Sequence, residues 1–130
     1  MKEVLKFLKD SEVYYIATND NGTPRVRPFG TINLFEDKLY IQTSKVKSFS
    51  KQVSLNNKVE ICALLQDRWI RIEANLIEDN RIEPKEKMLE AYPNLRSLYK
   101  ASDSNNQVFY LKDATATIYG FSKIEKVIKF

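Results

Sequence analysis

The run Trp69–Glu78 constrains this chain more than any other segment. Ile70, Ile72, Ala74 and Leu76 fall on one side of it, and Trp69, Arg71, Glu73 and Asn75 on the other. That period of two belongs to a half-buried strand; a helix would need apolar residues three and four apart. Just before it, Lys58–Gln66 is a nearly continuous apolar stretch, which predicts a central strand. A tight connection around Gln66-Asp67 joins the two runs. A link that short joins antiparallel neighbours, because a parallel crossover needs about a dozen residues or more.

The remaining elements follow the same logic. Val4, Leu5, Phe7 and Leu8 recur at helical spacing and predict a short helix ending near Asp10 or Ser11. Val13–Thr18 reads as a strand, with a turn at Asn19-Asp20-Asn21-Gly22. Arg25–Leu34 is expected as a second strand. Pro28 lacks an N–H and places that strand at an edge or a bulge. Leu39–Thr43 is a third strand. Ser44 is then expected to cap a helix carrying Val46, Phe49 and Val53 and ending at Asn56-Asn57. Pro84–Tyr92 predicts a helix with proline in its first turn, and Leu95–Tyr99 one further helical turn. Gln107–Ile118 and Ser122–Phe130 complete the strands. The order of helix, three strands, helix, two strands, helix, two strands implies a mainly β domain with α-helices. Its sheet is expected to be mostly antiparallel and to close into a barrel.

Composition excludes several chemistries. At 130 residues the chain has the length of one domain, 1–130, with no internal repeat. It contains no histidine, which removes Ser-His-Asp and Cys-His catalysis, His-ligated zinc and the usual haem ligand. A single cysteine, Cys62, removes thiolate zinc sites and iron–sulfur clusters. Its place in the run Val59–Leu65 predicts a buried side chain. No metal site is expected. The cysteine usage and a charged N-terminal segment unlike a signal peptide point to the cytoplasm, and no apolar run is long enough to span a membrane. Hard chemistry here would come from a cofactor.

Two segments can hold an anion. In Thr23-Pro24-Arg25-Val26-Arg27-Pro28-Phe29, two arginines two apart on a strand point the same way and can grip a phosphate or carboxylate by paired bonds. The same spacing also suits two solvated arginines on an edge. In Gln42-Thr43-Ser44-Lys45-Val46-Lys47-Ser48, a strand ends where a helix begins. Free amides, hydroxyls and two lysines collect there. A lysine in a first helical turn opposes the helix dipole unless an anion sits beside it. An imperfect helix start would look alike.

Taken in order, Gly22-x-Pro24-x-x-Arg27-Pro28, a strand ending in Gln42-Thr43, Lys45-x-Lys47 and a helix, and the later Asp67-Arg68-Trp69-Ile70-Arg71-Ile72-Glu73-Ala74 resemble the FMN-binding split barrel of the pyridoxamine 5'-phosphate oxidase-like family. The small nitroimidazole-reductase-like and general-stress-like branches are the nearest in pattern. The resemblance spans the chain. It implies a split β-barrel that binds FMN and works as a homodimer with the flavin at the subunit interface. Arg25, Val26, Arg27 and Pro28 would line the flavin, and an arginine would approach its phosphate. Gln42, Thr43 and Ser44 would contact the ring or ribityl phosphate. Lys47 and Ser48 would hold the phosphate, with Lys45 assisting. Trp69 and Arg71 would reach the flavin from the partner subunit.

The resemblance also has gaps. Pyridoxamine-phosphate oxidases carry an Arg-x-His signature near the C-terminus; this chain ends Phe121-Ser122-Lys123-Ile124-Glu125-Lys126-Val127-Ile128-Lys129-Phe130, so that activity is not expected. The histidine near the flavin in the nitroimidazole-reductase-like branch is missing too. The expected function is an FMN-dependent oxidoreductase passing electrons from a reduced donor to a small acceptor, with no catalytic residue assigned. One alternative is a flavin or deazaflavin binding module without turnover. Another is a basic barrel that stacks single-stranded nucleic acid on Tyr14, Tyr15, Phe29 and Tyr40.

Overall fold

The computed structural model describes Met1–Phe130. In chain order it contains α1 (Lys2–Ser11), β1 (Tyr14–Asp20), β2 (Thr23–Phe29), β3 (Asn33–Phe35), β4 (Lys38–Ser44), α2 (Ser48–Leu55), β5 (Lys58–Leu65), β6 (Arg68–Glu78), α3 (Ile82–Ala91), a 3-10 turn (Pro93–Ser97), β7 (Asn106–Gly120) and β8 (Lys123–Lys129). All strands belong to one sheet in the order β2-β1-β5-β6-β7-β4-β3, with β8 on β7. Every ladder is antiparallel.

Local chemistry sets these elements. The β1–β2 hairpin turns through Asn21 (φ 53°) and Gly22 (φ 94°), two left-handed positions in succession. That is the pairing a tight hairpin requires, and asparagine and glycine adopt it at least cost. The amide of Gly22 donates to Asn19 Oδ1 at 2.6 Å. β7 is the strand that switches partners. Its first residues pair with β4, its last with β8, and a bulge at Glu73/Asn75 in the β6 ladder marks the bend. A bulge of this kind lets one strand serve both halves of a barrel.

The core is continuous. Ile16, Ile41, Ile61, Ile70, Ile72 and Ile118 fill it, and α1 adds Val4, Phe7 and Leu8. Burying each such side chain stabilises the fold by about 1.5–3 kcal/mol. A smaller cluster of Tyr40, Met88 and Val108 seats α3 on the outer side of β4 and β7.

Four expectations need correction. The second strand is two strands: Gly30–Ile32 leaves the ladder, and β3 pairs with β4 instead. The barrel is not closed by a ladder, since β2 and β3 are the two free ends of the path. Side chains close the seam. Tyr14 Oη donates to the Thr31 carbonyl, Thr31 Oγ1 accepts from the Gln42 amide at 3.1 Å, and Tyr92 Oη binds both the amide and the carbonyl of Ile32 at 3.0 Å. Ser44 is not a helix cap. It is the last residue of β4, and Lys47 occupies the capping position. Cys62 is exposed, because β5 sends only Val59, Ile61 and Ala63 inward and leaves Glu60, Cys62 and Leu64 on the outer face. On that outer face Arg71 Nε lies 4.0 Å from Glu60 Oε2, on the neighbouring strand.

Candidate functional site

The turn from β4 into α2 is a fixed scaffold carrying exposed cations. Its backbone is tied by Lys45 N–H to the Asn105 carbonyl (2.9 Å) and Lys47 N–H to the Ser44 carbonyl (3.1 Å). Ser44 Oγ donates to Asn105 Oδ1 at 2.9 Å. Above this scaffold Lys45, Val46, Lys47 and Ser48 are exposed. No side chain caps α2 and no acidic residue stands in its first turn. The free amides of a helix start, a hydroxyl and two ammonium groups form a set of donors without a competing carboxylate, which suits a phosphate.

Beneath the turn the predicted contacts divide. Thr43 is 2% exposed, and its Oγ1 is the one buried side-chain polar atom without a hydrogen-bond partner. An unpaired buried hydroxyl costs about 1–3 kcal/mol. Gln42 is used internally: its Nε2 donates to the Thr43 carbonyl (3.0 Å) and to Asn106 Oδ1 (3.2 Å). It locks the end of β4 against β7.

The arginine pair divides as well. Arg25 is exposed and pairs with Asp20 at 3.2 Å. Val26 and Pro28 are exposed on the opposite face of the same edge strand. Arg27 turns inward. Its Nη1 donates to Thr18 Oγ1 (2.7 Å) and the Ile16 carbonyl (3.3 Å), its Nη2 donates to Gln52 Oε1 (2.5 Å), and its Cζ lies 5.0 Å from the centre of the Phe49 ring. Thr18 Oγ1 closes the triangle by donating to Gln52 Oε1 at 2.6 Å. Burial, and then the charge of Arg25, lowers the Arg27 guanidinium from its ordinary value. An arginine so placed stays charged. The hairpin and α2 therefore do meet, but at Phe49 and Gln52.

Trp69 and Arg71 occupy a different surface. Trp69 stacks on Tyr119 of β7 with ring centres 4.0 Å apart and planes 9° from parallel. Arg71 lies over both rings, 5.2 Å from Trp69 and 5.7 Å from Tyr119. Tyr15, Leu64, Ile124 and Val127 are exposed along the same outer face. β7 stands between β6 and β4, so one chain does not bring Trp69 and Lys47 together.

Thr18, Gln52, Phe49 and Asn105 were not singled out by the sequence pattern. One signal was available: Gln52 sits between Phe49 and Val53 on the apolar stripe of α2, where a polar residue needs a buried partner. Of the four aromatic platforms proposed for nucleic acid, Tyr14 and Tyr40 are buried and Phe29 is half-buried against Tyr14 and Phe49; only Tyr15 is exposed.

The sequence matches no protein-family model and no curated protein. Among solved structures, a NimC/NimA family protein from Clostridium acetobutylicum superposes with a TM-score of 0.95 at 40% identity, covering 100% of this chain and 93% of that one. The chain belongs to the NimC/NimA family. The fold of this NimC/NimA protein recurs at lower identity. General Stress Protein 26 from Bacillus anthracis matches with TM-score 0.76 and 15% identity, over 99% of this chain and 97% of that one. A pyridoxamine 5'-phosphate oxidase described as putative, from Listeria innocua, matches with TM-score 0.68 and 14% identity, over 98% and 95%. These two show the fold alone, and it is the expected split barrel. No helix of the NimC/NimA chain is long and apolar enough to cross a membrane.

Proposed function

We propose that this NimC/NimA protein binds FMN and acts as a flavin-dependent oxidoreductase, built as a homodimer with the flavin between subunits. The observation that carries the reading is the donor-only turn at the start of α2, where Lys45, Lys47, Ser48 and the uncapped amides meet no acid. The charge and donor set fit a phosphomonoester.

In this reading Lys47 and Ser48 hold the phosphate and Lys45 adds charge from the rim. Ser44 and Thr43 end β4 beneath this turn and form the floor below the ribityl chain. The exposed edge of β2, with Arg25, Val26 and Pro28, offers unpaired backbone groups to the ring, because β2 pairs only with β1. Bound flavin would supply electron transfer between a reduced donor and a small acceptor. The chain's own residues bind, orient and exclude water. No histidine is available to relay a proton.

The dimer reading rests on the outer face. A stacked Trp69–Tyr119 pair under Arg71, flanked by Leu64 at 68% exposure and Ile124 at 58%, is a surface typical of a subunit contact. A second copy there would bring Trp69 and Arg71 to a flavin held by its neighbour.

The test is a visible absorption spectrum of purified protein, followed by titration of FMN and riboflavin into the flavin-free fraction. Tight FMN binding with weaker riboflavin binding supports the phosphate site. Equal or absent binding of both overturns it. Turnover with NADH or NADPH and an artificial acceptor then separates an enzyme from a flavin carrier.

A further inference from the structure

The helix that presents the lysine turn is weakly held. α2 has eight residues, too few to be stable alone. Phe49 and Val53 are its only buried apolar anchors. An open cleft of about 460 Å³ lies between it and the β6–β7 side, and another of about 490 Å³ between it and the β1–β2 turn. Its place on the barrel therefore depends on polar ties. One runs from Ser50 Oγ to Gln107 Oε1 at 2.5 Å. The other is the triangle of Arg27, Thr18 and Gln52.

We propose that Arg27 is a positioning residue, which fixes α2 through Gln52 and Phe49 and so sets where Lys47 and Ser48 stand, without itself touching the anion. Three of its five N–H donors are already engaged by Thr18, Ile16 and Gln52. Its Cζ lies 5.0 Å from the centre of the Phe49 ring, in the first turn of the helix. Making all of these contacts at once needs the two-armed planar fork, which a lysine ammonium cannot reproduce. This rests on the reading of the α2 turn as a phosphate site.

Four variants decide it: Arg27→Lys, Arg27→Met, Gln52→Met and the Arg27→Met/Gln52→Met pair. Flavin-free protein is titrated with FMN and with riboflavin, and amide exchange across residues 50–55 is followed before flavin is added. Positioning predicts that each single variant weakens FMN binding by a comparable factor, roughly tenfold, with riboflavin binding little changed. It predicts that the pair is no worse than either single change, because both break one triangle. Lysine should not rescue, and exchange across 50–55 should accelerate in every variant. A direct phosphate contact predicts the opposite: Arg27→Lys close to the original protein, Gln52→Met without effect, and exchange unchanged. That outcome overturns the proposal. If the unaltered protein binds no FMN, the phosphate reading fails. The exchange data still decide whether Arg27 holds α2.

Discussion

Trp69 and Tyr119 are cross-strand partners of β6 and β7, and their rings lie parallel at 4.0 Å. Such a stack fixes two large side chains on an outward face before any partner arrives, so little rotamer freedom remains to be lost on association. With Arg71 above it, the pair has the composition of an interface hot spot. Trp69→Ala is expected to weaken dimerisation by about 2 kcal/mol, roughly thirtyfold in dissociation constant. Sedimentation across a concentration series checks this. An unaltered protein that is monomeric throughout would remove the interface reading.

Lys47→Ala tests the anion turn directly. Lys47 is exposed, in the capping position of α2, with no carboxylate in the first turn. Loss of one charge-assisted phosphate contact is worth about 1–2 kcal/mol, roughly tenfold in FMN affinity. The loss should shrink as salt rises, since an exposed pair is screened. Riboflavin has no phosphate and should be unaffected. Equal weakening of both ligands would place the effect elsewhere.

The fold was legible where periodicity is strong. β6 alternates cleanly and β5 is a nearly continuous apolar run, and both stand at the centre of the sheet as their patterns require. What failed had a physical cause in each case. Alternation says which residues share a face but not which face is inside. Arg25, Arg27 and Phe29 do share one; it turns inward at Arg27 and Phe29 and stays exposed at Arg25 near the hairpin turn, and Phe29 was the clue. The continuous run in β5 suggested two buried faces. The second face, carrying Cys62 and Leu64, is exposed in the chain alone. Ser44 looked like a cap because a serine followed by a helical pattern usually is one; the three-residue turn between them has no sequence signature. Tyr119 could be joined to Trp69 only through the register of β6 on β7.

The seam of the barrel gives a third expectation. Tyr92 Oη takes the place of a strand, donating to the Ile32 carbonyl and accepting from its amide, each at 3.0 Å. Ile32 is 1% exposed, so both backbone groups would otherwise lack partners. Tyr92→Phe should destabilise the fold by about 1–3 kcal/mol, with the largest gain in amide exchange at Ile32. Urea unfolding and residue-resolved exchange measure both. A uniform change in exchange across the chain would contradict a local seam role.

Asp79 supplies a pH-dependent part of the stability. It links the end of β6 to α3 and to the β3–β4 turn. Its Oδ2 accepts from Tyr40 Oη (2.8 Å) and Arg81 Nη2 (2.8 Å), its Oδ1 accepts from Arg81 Nε (3.1 Å), and Arg81 reaches on to Glu36 at 2.7 Å. The hydrogen bonds of Arg81 outweigh burial and lower the Asp79 carboxyl from 3.8 to about 2. Because the folded value lies below the unfolded one, the contribution is present above about pH 4 and is lost as pH falls towards 2. Its size is at most about 2 kcal/mol, since Arg81 is half exposed and partly screened. Asp79→Asn should therefore be less stable than the original protein at pH 7, with the gap narrowing below pH 4 and largely gone near pH 2. Denaturant unfolding at several pH values follows the gap. A difference that stays constant from pH 7 to pH 2 would show that the carboxylate charge plays no part.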